Sequence, residues 1–146
     1  MDRKELFHSF NDADRELHRN RVRCGMQFDS SYNLQRGQFP FIYCIYSGMA
    51  DTVTGLAKAL HISAAAAGVS VKRLEKSGYV TRSTDPMDNR VTRVSLTEQG
   101  AQAAEAARVF FDKVDDAAFI GFSDEEIIAL NDYLRRIAGN LSSFLK

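Results

Sequence analysis

Cysteine, histidine and proline are scarce in this chain of 146 residues, with two, three and two copies respectively, and no apolar run approaches the roughly 20 residues that span a bilayer. Each shortage excludes something. Cys24 and Cys44 do not make a metal-ligand spacing, and they read as two reduced thiols, with a redox switch at Cys24, behind Arg21 and Arg23, as the alternative. His8, His18 and His61 are not arranged as a metal site, so neither a metal nor a cofactor is expected. No nucleophile–base constellation or glycine-rich phosphate loop stands out, which makes catalysis the poorest reading. No repeat or Pro/Gly-rich linker divides the chain, and no signal-peptide pattern precedes the first charges, so a cytoplasmic protein without membrane association is expected.

What is present is the composition of one globular domain, 45% hydrophobic and 26% charged, with enough length for a sizeable core. The net charge is zero, but it is unevenly spread: residues 51–96 carry seven Lys/Arg against four Asp/Glu, whereas residues 97–146 carry five against nine. A local basic face in the middle of the chain is compatible with a neutral total.

Hydrophobic periodicity and capping residues divide the chain into elements. Residues 2 to about 22 read as an amphipathic helix with Leu6, Phe10, Ala13 and Leu17 on one face, followed by a loop from Gly25 to Gly37. Phe39 to near Gly48 reads as a short apolar helix with Pro40 in its first turn. Thr52 caps a helix from Val53 to Leu60. Ser63 caps a second, from Ala64 to Lys76, with Ala67, Val71 and Leu74 inward and Gly78 closing it. Tyr79 to Thr84 and Val91 to Leu96 alternate as two strands around the turn Asp85-Pro86-Met87-Asp88-Asn89. Thr97 starts a long helix to about 120. Ser123 and Glu126 form the capping box of a last one, to about 145, whose stripe includes Leu130, Leu134, Ile137 and Leu141.

Two helices around a three-residue turn, followed by a two-stranded hairpin, make a helix-turn-helix with a wing. The stretches "GLAKAL" (55–60), "VKRLEKSGYVTRSTDPMDNR" (71–90) and "VSLTEQG" (94–100) resemble the multiple-antibiotic-resistance regulator (MarR) family of winged-helix repressors, with a weaker likeness over "RGQFPFIYCIYSG" (36–48). The resemblance implies a mainly α fold with a small antiparallel β wing. It implies one domain over 1–146, with dimerisation helices at 1–35 and 121–146, a winged helix-turn-helix at 36–100 and a connecting helix at 101–120. It also implies a homodimeric, ligand-responsive repressor that binds a pseudo-palindromic double-stranded DNA operator, one helix in the major groove and the wing in the minor groove.

Carried onto this sequence, the DNA-binding residues are Ser63, Ala65, Ala66, Val69, Lys72 and Arg73 on the reading helix and Arg82, Asp88, Arg90 and Arg93 on the wing. Arg90 is the groove-reading guanidinium, fixed by an ion pair to Asp88, with Arg82 and Arg93 on phosphates. Family members place Ser, Thr and Arg where this helix has alanines and Gly68, which implies shallow sequence discrimination. Asn89 replaces a frequent second wing arginine. The dimer interface is expected at Leu6, Phe10, Leu17, Leu130, Leu134, Ile137 and Leu141. A phenolic or other amphipathic effector is expected between Phe39, Tyr43 and Tyr46, with His8 or Phe110. The alternative class is a winged helix used for protein–protein contact, which the alanine-rich reading helix favours and salt-insensitive binding would reveal.

Overall fold

The structure, a computed structural model, describes all residues except Asn33 and Arg36. The element order is α1 (Arg3–Ser31), α2 (Phe39–Tyr46), α3 (Val53–Ala59), α4 (Ala64–Lys76), β1 (Val80–Thr84), β2 (Thr92–Leu96), α5 (Glu98–Ala118) and α6 (Asp124–Phe144). These segments form two compact units, Met1–Phe110 and Phe111–Lys146, with the division inside α5. No helix among the described residues is long and apolar enough to cross a membrane. The mainly α architecture with a two-stranded antiparallel sheet agrees with the fold expected from the sequence.

In the first unit, short-range side chains start the elements. Asp2 and Glu5 form a reciprocal capping box on α1. The Thr52 hydroxyl accepts from the Gly55 amide at 3.0 Å, and the Ser63 hydroxyl accepts from the Ala66 amide at 3.1 Å. Each satisfies a backbone donor that a helix start leaves orphaned. Gly78 follows α4 with a φ of +85°, a left-handed conformation that favours glycine. The inward face of α4 is the one expected: Ala67, Val71 and Leu74 are fully buried, alongside Ile42, Leu56, Val80 and Val94.

The expected end of the first helix is wrong. α1 does not stop near residue 22 but runs through Gly25 to Ser31, so the described part of the Gly25–Gly37 loop begins at Tyr32. Tertiary burial overrides the poor helix propensity of Cys24-Gly25. Phe28 is 3% exposed, its ring 4.8 Å from Tyr32, 5.2 Å from Phe39 and 5.6 Å from Phe110. Burying one such side chain contributes about 1.5–3 kcal/mol, more than the ~1 kcal/mol that a mid-helix glycine costs. Each strand begins one residue later than expected, because the Tyr79 amide donates to the Leu74 carbonyl of α4 (2.9 Å) and the Val91 amide to the Asp88 carbonyl of the turn (3.0 Å).

Tyr79 is where the unit is tied together. Its buried side chain donates its hydroxyl to the Tyr32 carbonyl beyond α1, and its own carbonyl accepts from the Thr97 amide at 3.1 Å. The Thr97 hydroxyl donates to the Gly78 carbonyl (2.6 Å) and accepts from the Gly100 amide (3.1 Å), starting α5 against the wing. A Cβ at Gly100 would lie 2.1 Å from the Tyr79 carbonyl oxygen. That oxygen belongs to backbone and cannot move aside, so glycine is required here.

The second unit holds the end of α5, a turn at Gly121 (φ +85°) and α6. α6 opens on the expected capping box between Ser123 and Glu126, with three acids in its first turn facing the positive end of the helix dipole.

Two glycine substitutions are expected to move stability in opposite directions. Gly100→Ala should lower the denaturation midpoint by roughly 3 kcal/mol of stability, the scale of an overpacked core site. Gly25→Ala, with open space around the added Cβ, should raise it by about 0.5–1 kcal/mol. Equal effects in urea titrations of the two variants would contradict the packing assigned to Gly100.

Candidate nucleic-acid interface

α4 divides lengthwise. Ala67, Val71 and Leu74 face the core, while Ser63, Ala65, Ala66, Val69, Lys72 and Arg73 are exposed. Six of the ten DNA-binding positions named from sequence therefore share one solvent face of one helix. Val69 is half exposed and apolar. The alanines leave the helix backbone close to the surface, and the first amides of α4 carry the positive end of its dipole.

The wing pairs Val80 with Leu96, Arg82 with Val94 and Ser83 with Arg93. Directly paired residues share a sheet face and neighbours along a strand alternate, so Arg82 and Arg93 point from opposite faces. Arg82 turns toward α4, where its guanidinium donates to Glu75 Oε1 at 2.9 Å. That bond holds the Glu75 carboxyl below the usual range. Arg93 lies between two carboxylates, donating from Nε to Asp85 Oδ2 (2.7 Å) and from Nη1 to Asp51 Oδ2 (2.8 Å). The backbone repeats the link: Val94 donates to the Asp51 carbonyl, and Thr52 forms an isolated bridge with Arg93. The segment entering α3 thus lies along β2, and Arg93 fastens it to the wing.

Asp85 organises the turn. It is 7% exposed, and its Oδ1 accepts from the Met87 and Asp88 amides at 2.8 and 3.1 Å. With Arg93 on the other oxygen, the carboxylate is satisfied on both sides. The Met87 amide, then the Arg93 guanidinium, lower its pKa. Asp88 does different work on the outside of the turn. Its carboxylate accepts from Arg90 Nε (3.1 Å), Nη2 (3.2 Å) and the Arg90 amide (3.0 Å). The ion pair expected from the sequence is present, and the Arg90 side chain is still 90% exposed. Such an exposed pair contributes about 0–1 kcal/mol, so the clasp aims the guanidinium and releases it at little cost.

The wing cations therefore fall into two kinds. Arg82 and Arg93 are engaged by carboxylates that sequence reasoning does not assign to them; Arg90 stands out into solvent. Asp85 and Asp51 are missed by that reasoning as well. A signal exists for Asp85, an aspartate opening a Pro-containing turn, but the partnership of Asp51 with Arg93 spans 42 residues and leaves no local trace.

Among the aromatic positions, Phe39 lies 5.2 Å from Phe28 and 6.3 Å from Tyr43, and Phe110 joins the same cluster through Phe28. Tyr46, on the next turn, donates its hydroxyl to Glu105 on α5 (2.8 Å). Arg108 and then Tyr46 push the Glu105 carboxyl down to about 2. His8 stands apart. Twenty residues of α1 separate it from Phe28, about 30 Å at 1.5 Å per residue, so within one chain it does not share a wall with Phe39 and Phe110. An open hollow does lie along α6, lined by Ala129, Asp132, Tyr133, Arg135 and Arg136; none of the aromatic candidates lines it. Among the described residues no group of three His, Cys, Asp or Glu side chains is placed to hold a metal ion. Burial raises the pKa of the Cys44 thiol, and its Sγ lies 3.9 Å from Met49 Sδ.

The Asp85 geometry sets a pH dependence. A folded-state pKa below the ordinary value means that the charged carboxylate stabilises the turn above about pH 4. That contribution is lost as pH falls through the lower folded-state value. The Met87 amide resonance should therefore titrate below pH 4 in the wild-type protein and lose this step in Asp85→Asn. A midpoint at the ordinary aspartate value would contradict the hydrogen-bond arrangement.

Comparison with known proteins gives the same architecture. The MarR family model matches residues 34–92. The HTH-type transcriptional regulator YwaE of Bacillus subtilis (strain 168) is 32% identical over 127 residues, covering 87% of this chain and 74% of YwaE. The crystal structure of the transcriptional regulator SlyA is 25% identical, with a TM-score of 0.76 over 92% of this chain and 99% of that one. Streptococcus pneumoniae FabT, solved in complex with DNA, has a TM-score of 0.81 over 94% and 99% of the two chains; at 19% identity this shows the fold alone. The resemblance carried by the "LEKSGY", wing and "LTEQG" segments is thus matched by sequence relatives and by fold, and the chain belongs to the MarR family of DNA-binding winged helix-turn-helix transcriptional regulators.

Proposed function

We propose that the protein is a dimeric repressor that acts on a pseudo-palindromic operator in the cytoplasm and is released by a small amphipathic ligand. The observation that carries the DNA-facing part is the pairing of an exposed α4 face with an Arg90 that protrudes from a turn pinned by Asp85. On this reading Lys72, Arg73 and the Ser63 end of α4 hold phosphates. Ala65, Ala66 and Val69 touch thymine methyls, and Arg90 enters the minor groove, whose negative potential suits a guanidinium. Arg82 and Arg93 contribute mainly by fixing the wing, since their guanidinium groups are already engaged. Asp88 acts by aiming Arg90. The reading assigns no catalysis.

Dimerisation is supported by the apolar residues left outside at both ends of the chain. On α1, Leu6, Phe7, Phe10 and Leu17 are between 45% and 54% exposed. On α6, Leu130, Leu134, Ile137 and Leu141 keep between 37% and 58% exposure. Leaving such rows in water forgoes about 1.5–3 kcal/mol for each side chain that could be fully buried, and a two-fold pairing of these helices would recover it. The effector part rests on Phe39, Tyr43, Tyr46 and Phe110, where α2 meets α5 through the Tyr46–Glu105 bond. A phenol inserted there competes for that bond and shifts α2, which precedes the reading helices.

Sites selected from random duplex DNA supply the test. Arg90→Ala should weaken binding without unfolding and flatten the salt dependence by up to roughly one unit of slope. Lys72→Ala should weaken good and scrambled sites alike, whereas Val69→Ala should cost affinity where a thymine lies beneath it. Steep preference for guanines under α4 would show the exposed face to be misread. Phenolic compounds added to the same titrations should release the duplex if the aromatic site is the effector's. Salt-insensitive binding to a protein instead of DNA would favour the protein-contact alternative.

Sedimentation at micromolar concentration should give a dimer, and Leu134→Asp with Ile137→Asp should give a folded monomer. A wild-type monomer under those conditions would remove the dimer assignment.

A further inference from the structure

Met87 is 93% exposed at the apex of the wing turn, and neither the core nor the ion pairs use its side chain. An isolated exposed apolar residue on a loop is ordinary. Met87 differs because its backbone is held: its amide donates to the buried Asp85 carboxylate at 2.8 Å, and the next amide donates to the same oxygen. Pro86, immediately N-terminal to it, fixes one backbone angle further. The turn thus offers a flexible, unbranched thioether chain from a rigid base, three residues from Arg90. At no more than 3.8 Å per residue, the two Cα atoms lie within about 11 Å of each other, so both exposed side chains stand on the same wing tip.

We infer that Met87 is an apolar wedge that enters the minor groove beside Arg90, presses on one base step and partly unstacks it. The inference rests on the DNA-facing reading of the wing given above. Side chains of this type kink duplexes where they insert, and the cost is lowest at flexible pyrimidine–purine steps. The wedge supplies discrimination that α4 lacks. With Ala65, Ala66, Gly68 and Val69 along its reading face, that helix has few groups able to make bidentate base contacts, so deformability at the wing becomes a determinant of site choice. Methionine carries no charge, so its contribution is independent of salt, unlike that of Arg90.

The experiment uses the full-length protein and a selected duplex in which 2-aminopurine is scanned through the steps flanking the bases protected by α4. Wild-type binding should raise the fluorescence at one step. Met87→Leu should retain that rise and Met87→Ala should lose it. With a TA step placed there, Met87→Ala should bind about five- to tenfold more weakly than wild type, with little change on an A-tract and no change in salt slope. Arg90→Ala, by contrast, should weaken both duplexes and flatten the slope. Wild-type fluorescence and an unchanged preference for TA over the A-tract in Met87→Ala would overturn the wedge and leave the DNA-facing reading standing. A wild-type protein that binds no duplex would overturn both.

Discussion

The first unit depends on the contact between the Tyr79 carbonyl and the backbone at Gly100. Tyr79 sits between the end of α4 and the start of β1, and its hydrogen bonds reach Tyr32, Leu74 and Thr97. With Thr97 bonded to Gly78 and Gly100, the start of α5 lies against the start of the wing with no room for a side chain. The reading helix, the wing and the helix leading away from them are therefore registered by backbone atoms, which cannot rotate out of contact as side chains can.

The wing uses two aspartates three residues apart for separate tasks. Asp85 is buried and bonded to backbone donors, so it defines the path of the turn. Asp88 is more open and bonded to Arg90, so it defines the direction of a side chain. Two of the seven cations of residues 51–96 are tied into the fold by carboxylates, Arg82 by Glu75 and Arg93 by Asp51 and Asp85. The other cations of this segment lie outward: Lys58 on α3, Lys72, Arg73 and Lys76 on α4, and Arg90 on the wing. A chain of zero net charge can in this way offer a positive surface without the long-range field of a strongly basic protein.

Local chemistry accounts for the part of the fold that is legible in the sequence. Thr52, Ser63 and Ser123 announce helix starts because their hydroxyls meet amides three residues on. Gly78 and Gly121 announce ends because few other residues tolerate their backbone angles. The Asp-Pro-Met-Asp-Asn turn and the inward triad Ala67, Val71 and Leu74 follow from turn chemistry and helical period. These signals act within a few residues, and together with the "LTEQG" motif they are enough to point to the winged helix-turn-helix and its exposed reading face.

Tertiary structure decided what depends on contacts between distant residues. α1 continues through Gly25 because Phe28 finds Phe39 and Phe110, a gain that no local propensity contains. Arg82 and Arg93 look alike on the sequence, as basic residues on adjacent strands. The pairing register sends them to opposite faces and to different carboxylates. Asp51 is an unremarkable residue ahead of a helix cap until the chain returns β2 to its side. The sequence by itself determined where elements begin, end and turn inward, since those choices are made by neighbours. Which of the wing arginines stands free of the fold was settled only when the folded chain brought Asp51 and Asp85 to Arg93, and Glu75 to Arg82.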